Sequence, residues 1–103
     1  MIESQVEQYL VRSLSSIQGL AWKFTSPGKA GVPDRLVLFK GHAFFVELKR
    51  PGGKPRALQK AIVKQIRHAG IKVYCISKKE QVDDLTNLLK LGILPEEARY
   101  DRI

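Results

Sequence analysis

Apolar residues recur at intervals of three and four along three stretches of the chain, the spacing that places them on one face of an α-helix. The first stretch predicts a helix over residues 2–18, which Gly19 terminates. The second predicts a helix that opens at Pro55 and stops at Gly70, and the third predicts a helix over residues 79–90. Each predicted helix therefore has an apolar face to bury against another layer of the protein.

Runs rich in β-branched and aromatic residues lie between these helices and predict strands. The predicted strands cover residues 20–25, 35–39, 43–49 and 72–77. Lys40-Gly41-His42 is a hairpin turn signal between the second strand and the third. The chain is therefore expected to form one α/β domain over residues 1–103, a mixed sheet flanked by helices in the order α-β-β-β-α-β-α.

Length and composition limit the class of protein. A chain of 103 residues, 44% apolar and 27% charged, is sized for one globular domain. Cys75 is the single cysteine, which excludes an internal disulfide and a zinc site built on several thiolates. No apolar run approaches the ~20 residues of a membrane span, and the first residues lack the regions of a signal peptide. We therefore expect a cytoplasmic protein that does not enter a membrane.

The net charge narrows the choice of partner. Eighteen Lys and Arg against ten Asp and Glu give a formal charge of +8. A small domain this basic is typical of proteins that bind a polyanion, most often nucleic acid. The charge thus favours a nucleic-acid partner over a merely solvated basic surface.

Two carboxylates are predicted to meet at the open end of the hairpin. If the turn centres on Gly41, the residue numbers of any two residues that pair across the hairpin add up to about 82. This places Asp34 opposite the stretch from Glu47 to Lys49. Because Glu47 and Lys49 are two residues apart on one strand, both side chains leave the same face. An ordinary cross-strand salt bridge would pair Lys49 with one carboxylate and leave the other unpaired. A divalent cation such as Mg²⁺ removes the repulsion between the two carboxylates and favours oxygen ligands of this kind.

These residues carry a resemblance to a known family. The segment Gly31-Val32-Pro33-Asp34, followed after twelve residues by Glu47-Leu48-Lys49, resembles the PD-(D/E)XK nuclease signature. Together with the loop from Ser26 and with Gln59 on the next helix, it is similar to the VRR-NUC family, in particular to the stand-alone members of phages and bacteria. The resemblance implies a restriction-endonuclease-like fold. It also implies a protein that acts in the cytoplasm of a bacterial or phage-infected cell.

The resemblance also implies roles for the matching residues. Asp34 and Glu47 would bind the catalytic metal, Mg²⁺ with Mn²⁺ as a substitute, together with the main-chain carbonyl of Leu48. Lys49 would position the attacking water or stabilise charge on the scissile phosphate. Gln59 would orient ligands or phosphate, and its position within the apolar arc of its helix independently predicts an inward side chain, in a functional role or as a core glutamine.

The family also has a Glu on the first helix, and two residues compete for this role. Glu3 lies well inside the apolar arc of the predicted helix, whereas Glu7 lies at its edge. Because an inward carboxylate without a role is costly, Glu3 is the favoured candidate.

Basic residues near this corner are candidates for contacts with nucleic acid. Lys29 and Arg35 flank the Pro-Asp segment, while Arg56 and Lys60 share an outward face of the second helix, with Lys54 just before it. No groove-reading module is recognisable, so we expect contacts to the backbone and recognition of DNA shape.

The prediction is a metal-dependent endodeoxyribonuclease, and the alternative is a basic nucleic-acid-binding module without catalysis. We expect a homodimer that cuts branched DNA such as a four-way (Holliday) junction, because two strands cut in step need two sites related by a two-fold axis. The tail over residues 95–103 has weak periodicity and either packs on its own domain or joins the dimer interface. The apolar residues offered for that interface are Leu88, Leu91, Ile93, Leu94 and Tyr100.

Overall fold

The computed structural model describes residues 2–103. Its helices are α1 (Glu3–Ser16), α2 (Ala57–His68) and α3 (Lys79–Lys90), with a short 3₁₀ helix over Glu97–Arg99. Its strands are β1 (Leu20–Lys23), β2 (Arg35–Phe39), β3 (His42–Leu48) and β4 (Val73–Ile76). The predicted order of elements is confirmed, and no predicted end is displaced by more than two residues.

The four strands form one mixed sheet in the order β1-β2-β3-β4. β1, β2 and β3 are antiparallel neighbours, whereas β4 runs parallel to β3 after the α2 crossover. The side chains of successive strand residues leave opposite faces, so each face needs its own cover. α1 and α3 cover one face, and α2 lies on the other, where it packs against β4.

The larger core lies between the sheet and the pair α1 and α3. Its buried side chains come from α1 (Val6, Leu10, Leu14), α3 (Val82, Leu85, Leu89) and the sheet residues that face them, such as Val37, Phe44, Val46 and Ile76. Burial of this many branched apolar side chains is the main stabilising contribution to such a fold. α2 adds a smaller set on the opposite face, with Ile62 and Val63 buried.

The β2–β3 hairpin has a tighter turn than predicted. Lys40 and Gly41 form a two-residue turn, and both have positive φ, at 45° and 82°, which is the conformation a type I′ turn requires. His42 belongs to β3 and pairs with Phe39, so paired positions add up to 81. The predicted sum of about 82 was therefore wrong by one, because the turn has two residues and not three.

The tail packs on its own domain. Tyr100 is buried against Tyr74, with ring centroids 5.4 Å apart, and the Tyr74 hydroxyl donates to the Pro95 carbonyl at 2.6 Å. The Asp101 N–H donates to the Cys75 carbonyl at 3.0 Å, so the tail covers the outer edge of β4. Tyr100 is thus part of the core and not of an outer surface.

Only part of the apolar surface offered for a dimer interface is free. Leu94 packs against the core, whereas Leu91 and Ile93 are 73% and 47% exposed. Strand β1 adds an apolar surface that the sequence did not single out, since Trp22 is 57% exposed. Within residues 2–103, none of the helices has the length and hydropathy to cross a bilayer.

Candidate active site

Asp34 is fixed between the ends of two strands. Its carboxylate Oδ2 accepts a hydrogen bond from the Leu48 N–H at 2.8 Å, and its main-chain carbonyl accepts one from the Phe24 N–H at 2.9 Å. The register that pairs Arg35 with Val46 places Asp34 beside Glu47 at the end of β3. The hairpin therefore brings together two carboxylates that are separated by twelve intervening residues, as the sequence predicted.

Glu47 is a buried carboxylate with an unusual environment. Its side chain leaves β3 toward α2, and only 6% of the residue is exposed. Oε2 accepts a hydrogen bond from Gln59 Nε2 at 2.7 Å, whereas Oε1 is buried without a hydrogen-bond partner among the described residues. Burial, followed by the negative charge of Asp34, raises the pKa of Glu47 to about 8, and Glu3 adds to the same effect.

Gln59 holds the Glu47 carboxylate in place. Its amide nitrogen donates to Glu47, while its Oε1 accepts from the Arg56 N–H at 2.9 Å at the start of α2. Both ends of the amide are thus occupied, which fixes the rotamer. The predicted inward orientation of Gln59 agrees with this geometry, and the hydrogen bond gives the side chain a definite carboxylate partner.

Most of the predicted catalytic and metal-binding residues line one cavity of about 540 Å³. They are Glu3, Asp34, Glu47, Leu48, Lys49 and Gln59. Since carboxylates and the Lys49 ammonium line the same space, the cavity is suited to a cation with oxygen ligands and to an anion near Lys49. The basic candidates Lys54 and Arg56 also line it, together with Arg50.

The two candidate carboxylates of α1 lie in different places. Glu3 lines the cavity but is exposed, so its predicted inward position was wrong, because it lies in the first turn of α1, beyond the core residues Val6 and Leu10. Glu7 is half-buried and pairs with Arg35 at 2.9 Å and with Lys23 at 3.4 Å. Arg35 also donates to the Ala21 carbonyl at 3.0 Å. Glu7 and Arg35, predicted respectively as a catalytic alternative and as a nucleic-acid contact, are therefore joined to each other on the α1 side of the sheet.

The loop over residues 26–33 reaches Asp34 after passing close to α2. Gly31 has a φ of +84°, and a Cβ at this position would come within 3.0 Å of Leu58 Cγ and 3.3 Å of Ile62 Cγ1. Only glycine combines this backbone conformation with so close an approach. The contact fixes the loop on α2 just before Asp34, while Lys29 stays exposed at its outer side.

The donor set fits a hard divalent cation. Among residues 2–103, no three His, Cys, Asp or Glu side chains form a metal cluster, so a cation would need other oxygen ligands besides the Asp34 and Glu47 carboxylates. Mg²⁺ meets this condition, since it takes one or two carboxylates and completes its shell with water and phosphate oxygens. The unpartnered Glu47 Oε1 is the observation that fits such a ligand.

The sequence did not identify one wall of the cavity. Ile103 lines it at the end of the tail, and Lys49 Nζ lies 3.5 Å from the main-chain carbonyl of Arg102. The tail has no periodicity that would place it beside a distant strand, so no local pattern indicates these contacts. Lys60, the candidate nucleic-acid contact that lies within α2, lines an adjoining cavity.

Comparisons with known proteins agree with this architecture. No family model matches the chain. A solved structure described as "VRR_NUC domain" superimposes with a TM-score of 0.76 at 32% identity, covering 82% of this chain and 94% of that one. A protein of Acyrthosiphon pisum secondary endosymbiont phage 1, described as "Putative nuclease p44", is 52% identical over 58 residues, which are 55% of this chain. The matched part spans 62% of that relative.

Proposed function

The chain belongs to the VRR-NUC family of nucleases, and on this premise we propose that it is a metal-dependent endodeoxyribonuclease of the PD-(D/E)XK type. The observation that carries the proposal is the pair of carboxylates at the end of the hairpin. Glu47 is buried beside Asp34 with one oxygen unpartnered. Such a pair is unfavourable without a cation, which supports a metal requirement.

The side chains that line the cavity have different roles in phosphodiester hydrolysis. Asp34 and Glu47, with the main-chain carbonyl of Leu48, would hold Mg²⁺, for which Mn²⁺ can substitute. When bound, the ion neutralises charge that develops on the phosphodiester. Lys49 positions the attacking water or stabilises the phosphate, since its ammonium lines the same cavity. Gln59 keeps the Glu47 carboxylate oriented through its 2.7 Å hydrogen bond, and Glu3 adds a third carboxylate.

We propose that the substrate is branched DNA such as a four-way junction, cut by a homodimer. Each chain of 103 residues has one set of catalytic residues, which cuts one strand. Cutting two opposed strands together therefore needs a second copy of the protein, related to the first by a two-fold axis. Exposed apolar side chains after α3, Leu91 and Ile93, and separately Trp22 on β1, each offer apolar area that a second copy could cover.

A cleavage assay tests the nuclease proposal. The protein is incubated with a four-way junction and with linear duplex, either with Mg²⁺ or with a chelator. We expect products only with Mg²⁺, and more from the junction. Binding without products in any divalent metal would refute the enzyme and leave a basic nucleic-acid-binding module.

Light scattering tests the assembly separately. At micromolar concentration we expect about twice the chain mass of 11.6 kDa, together with cleavage of opposed strands in the junction. A monomer that nicks linear duplex as readily as a junction would refute the dimer and the junction preference. That result would not affect the assignment as a nuclease.

A further inference from the structure

A second cavity of about 760 Å³ adjoins the catalytic one. Lys49, Gly53, Lys54, Pro55 and Ile103 line both cavities. The two cavities therefore meet at Lys49. A DNA strand bound beside the carboxylates of the first cavity can continue directly into the second. Its volume is in the range of sites for small molecules, which corresponds to about one or two nucleotides and not to a duplex.

The wall of the second cavity is built by the tail and held by Arg67. The Arg67 guanidinium donates to the Ile103 main-chain oxygen at 2.6 Å and to the Val73 carbonyl at 2.7 Å, and it also pairs with Glu97. The Glu97 carboxylate accepts a further hydrogen bond from the Val73 N–H at 3.0 Å. Because these bonds tie the tail to α2 and β4, the cavity exists before any ligand binds.

The charges around the second cavity leave it basic. Three acidic residues line it: Glu97 pairs with Arg67, Glu96 lies 3.7 Å from Lys72, and Asp101 accepts a hydrogen bond from the neutral amide of Gln81 at 2.8 Å. The lining cations without an ion-pair partner within residues 2–103 are Lys49, Lys54, Lys60 and Arg102. These four positive charges exceed the one carboxylate that has no cationic partner, so the cavity is basic, while Pro55, Ala98 and Ile103 provide apolar contact.

We propose that this second cavity binds a nucleotide without a pairing partner next to the scissile phosphate, either where a strand leaves its duplex at a fork or where the pair beside the branch point of a junction opens on binding. The inference rests on the proposed function and adds to it the reason for a preference for branched DNA. The free ammonium and guanidinium groups contact phosphate, and the apolar side chains contact sugar and base. Since no aromatic side chain lines the cavity, stacking on a ring is absent and binding tolerates any base.

Two lysines on α2 provide a matched pair for the test. Lys60 lines the second cavity, whereas Lys64, one turn further along the same helix and equally exposed, lines neither cavity. Binding is measured by fluorescence anisotropy in chelator, with two DNAs of the same sequence, a paired duplex and a fork with one unpaired arm. We expect the unaltered protein to prefer the fork. Lys60→Ala should lower fork affinity about fivefold with a smaller loss on duplex, and Lys64→Ala should keep the preference.

A second variant adds a negative charge to the cavity without adding a ring. Ala98 is exposed and lines only the second cavity, so Ala98→Glu should repel phosphate there, remove the preference for the fork and affect duplex binding less, with circular dichroism as the control for folding. If Ala98→Glu does not fold, the two lysine variants decide the question. A Lys60→Ala protein that keeps the parent's preference for the fork would overturn the proposal, as would a folded Ala98→Glu protein that keeps it.

The outcomes separate this inference from the proposed function. Because binding is measured in chelator, it does not depend on cleavage. A protein that prefers forks through Lys60 but cuts nothing with Mg²⁺ would refute the nuclease and support the cavity assignment. A nuclease that binds forks and duplex equally would overturn the cavity assignment alone.

Discussion

Replacing Glu47 by glutamine should stabilise the metal-free protein. The pKa of Glu47 is about 8 in the fold, against 4.5 for the unperturbed group. The folded protein at pH 7 therefore retains a proton on Glu47 that the unfolded chain releases, which costs about 3 kcal/mol by linkage. Glutamine carries no such cost and can still accept the hydrogen bond from Gln59. Since 1 kcal/mol shifts the Tm of a domain this size by about 4–8 °C, we expect a rise of about 10 °C or more.

The pH dependence of this difference has a defined sign. A carboxyl whose pKa is raised by folding contributes stability fully below 4.5, and this contribution is lost as the pH rises toward 8. The stabilities of Glu47→Gln and the unaltered protein should thus coincide below pH 4.5, diverge above it and stay apart beyond pH 8. The carboxylates beside Glu47, Asp34 and Glu3, both raise its pKa, and the other titratable groups beside it are Cys75, its partner on β4, and Lys49 of the same cavity.

Urea unfolding in chelator between pH 4 and pH 9 measures this difference. Glu7→Gln is the matched control, because it removes a carboxylate that pairs with Arg35 and Lys23 and should lower stability by about 1 kcal/mol or less. Added Mg²⁺ should stabilise the unaltered protein more than Glu47→Gln, since a ligand that binds the folded state raises its stability. A Glu47→Gln protein less stable than its parent at pH 7, or a difference that does not change with pH, would refute the reasoning.

Three further variants test the site. Asp34→Asn should abolish cleavage while DNA binding persists or strengthens, because a negative charge near phosphate is removed; cleavage near the parent rate would contradict its role as a metal ligand. Glu3→Gln should reduce cleavage at saturating Mg²⁺ more than Glu7→Gln, because only Glu3 lines the cavity, and the reverse order would move the role to Glu7. Gly31→Ala should lose about 1–2 kcal/mol in urea unfolding, since its φ is +84° and Leu58 lies 3.0 Å from the added Cβ; unchanged stability would contradict the tight contact.

The parts of the site that the sequence predicted depend on local geometry. Asp34 and Glu47 meet because a hairpin joins them, and a hairpin's register follows from its turn and its alternating side chains. Glu3 lines the cavity, but the helical arc predicted the burial of the two α1 carboxylates in the wrong order, since Glu3 is exposed and Glu7 is half-buried. The hairpin could be predicted because its two carboxylates are close along the chain and one periodicity determines their faces.

The position of the tail could not be predicted from such local geometry. Its position depends on contacts between distant residues, such as Arg67 with Glu97 and Asp101 with Cys75. Nothing in residues 95–103 repeats with a period that would pair them with β4, so the sequence favoured a place in a dimer interface over packing on the same domain. The second cavity exists only because the tail packs there, and it could not be predicted either.

The two-residue turn at Lys40 and Gly41 has a consequence for how this hairpin can vary. Because side chains alternate along β3, an insertion that shifts the pairing of β3 with β2 by one residue would turn Glu47 from the α2 side into the apolar core and bring Val46 or Leu48 out in its place. A longer turn that keeps Arg35 paired with Val46 would leave Glu47 where it is. Changes in this exposed turn should therefore abolish activity where they shift the register, and we expect sequences that share this site to differ in the spacing between the aspartate and the glutamate only where the turn takes up the difference.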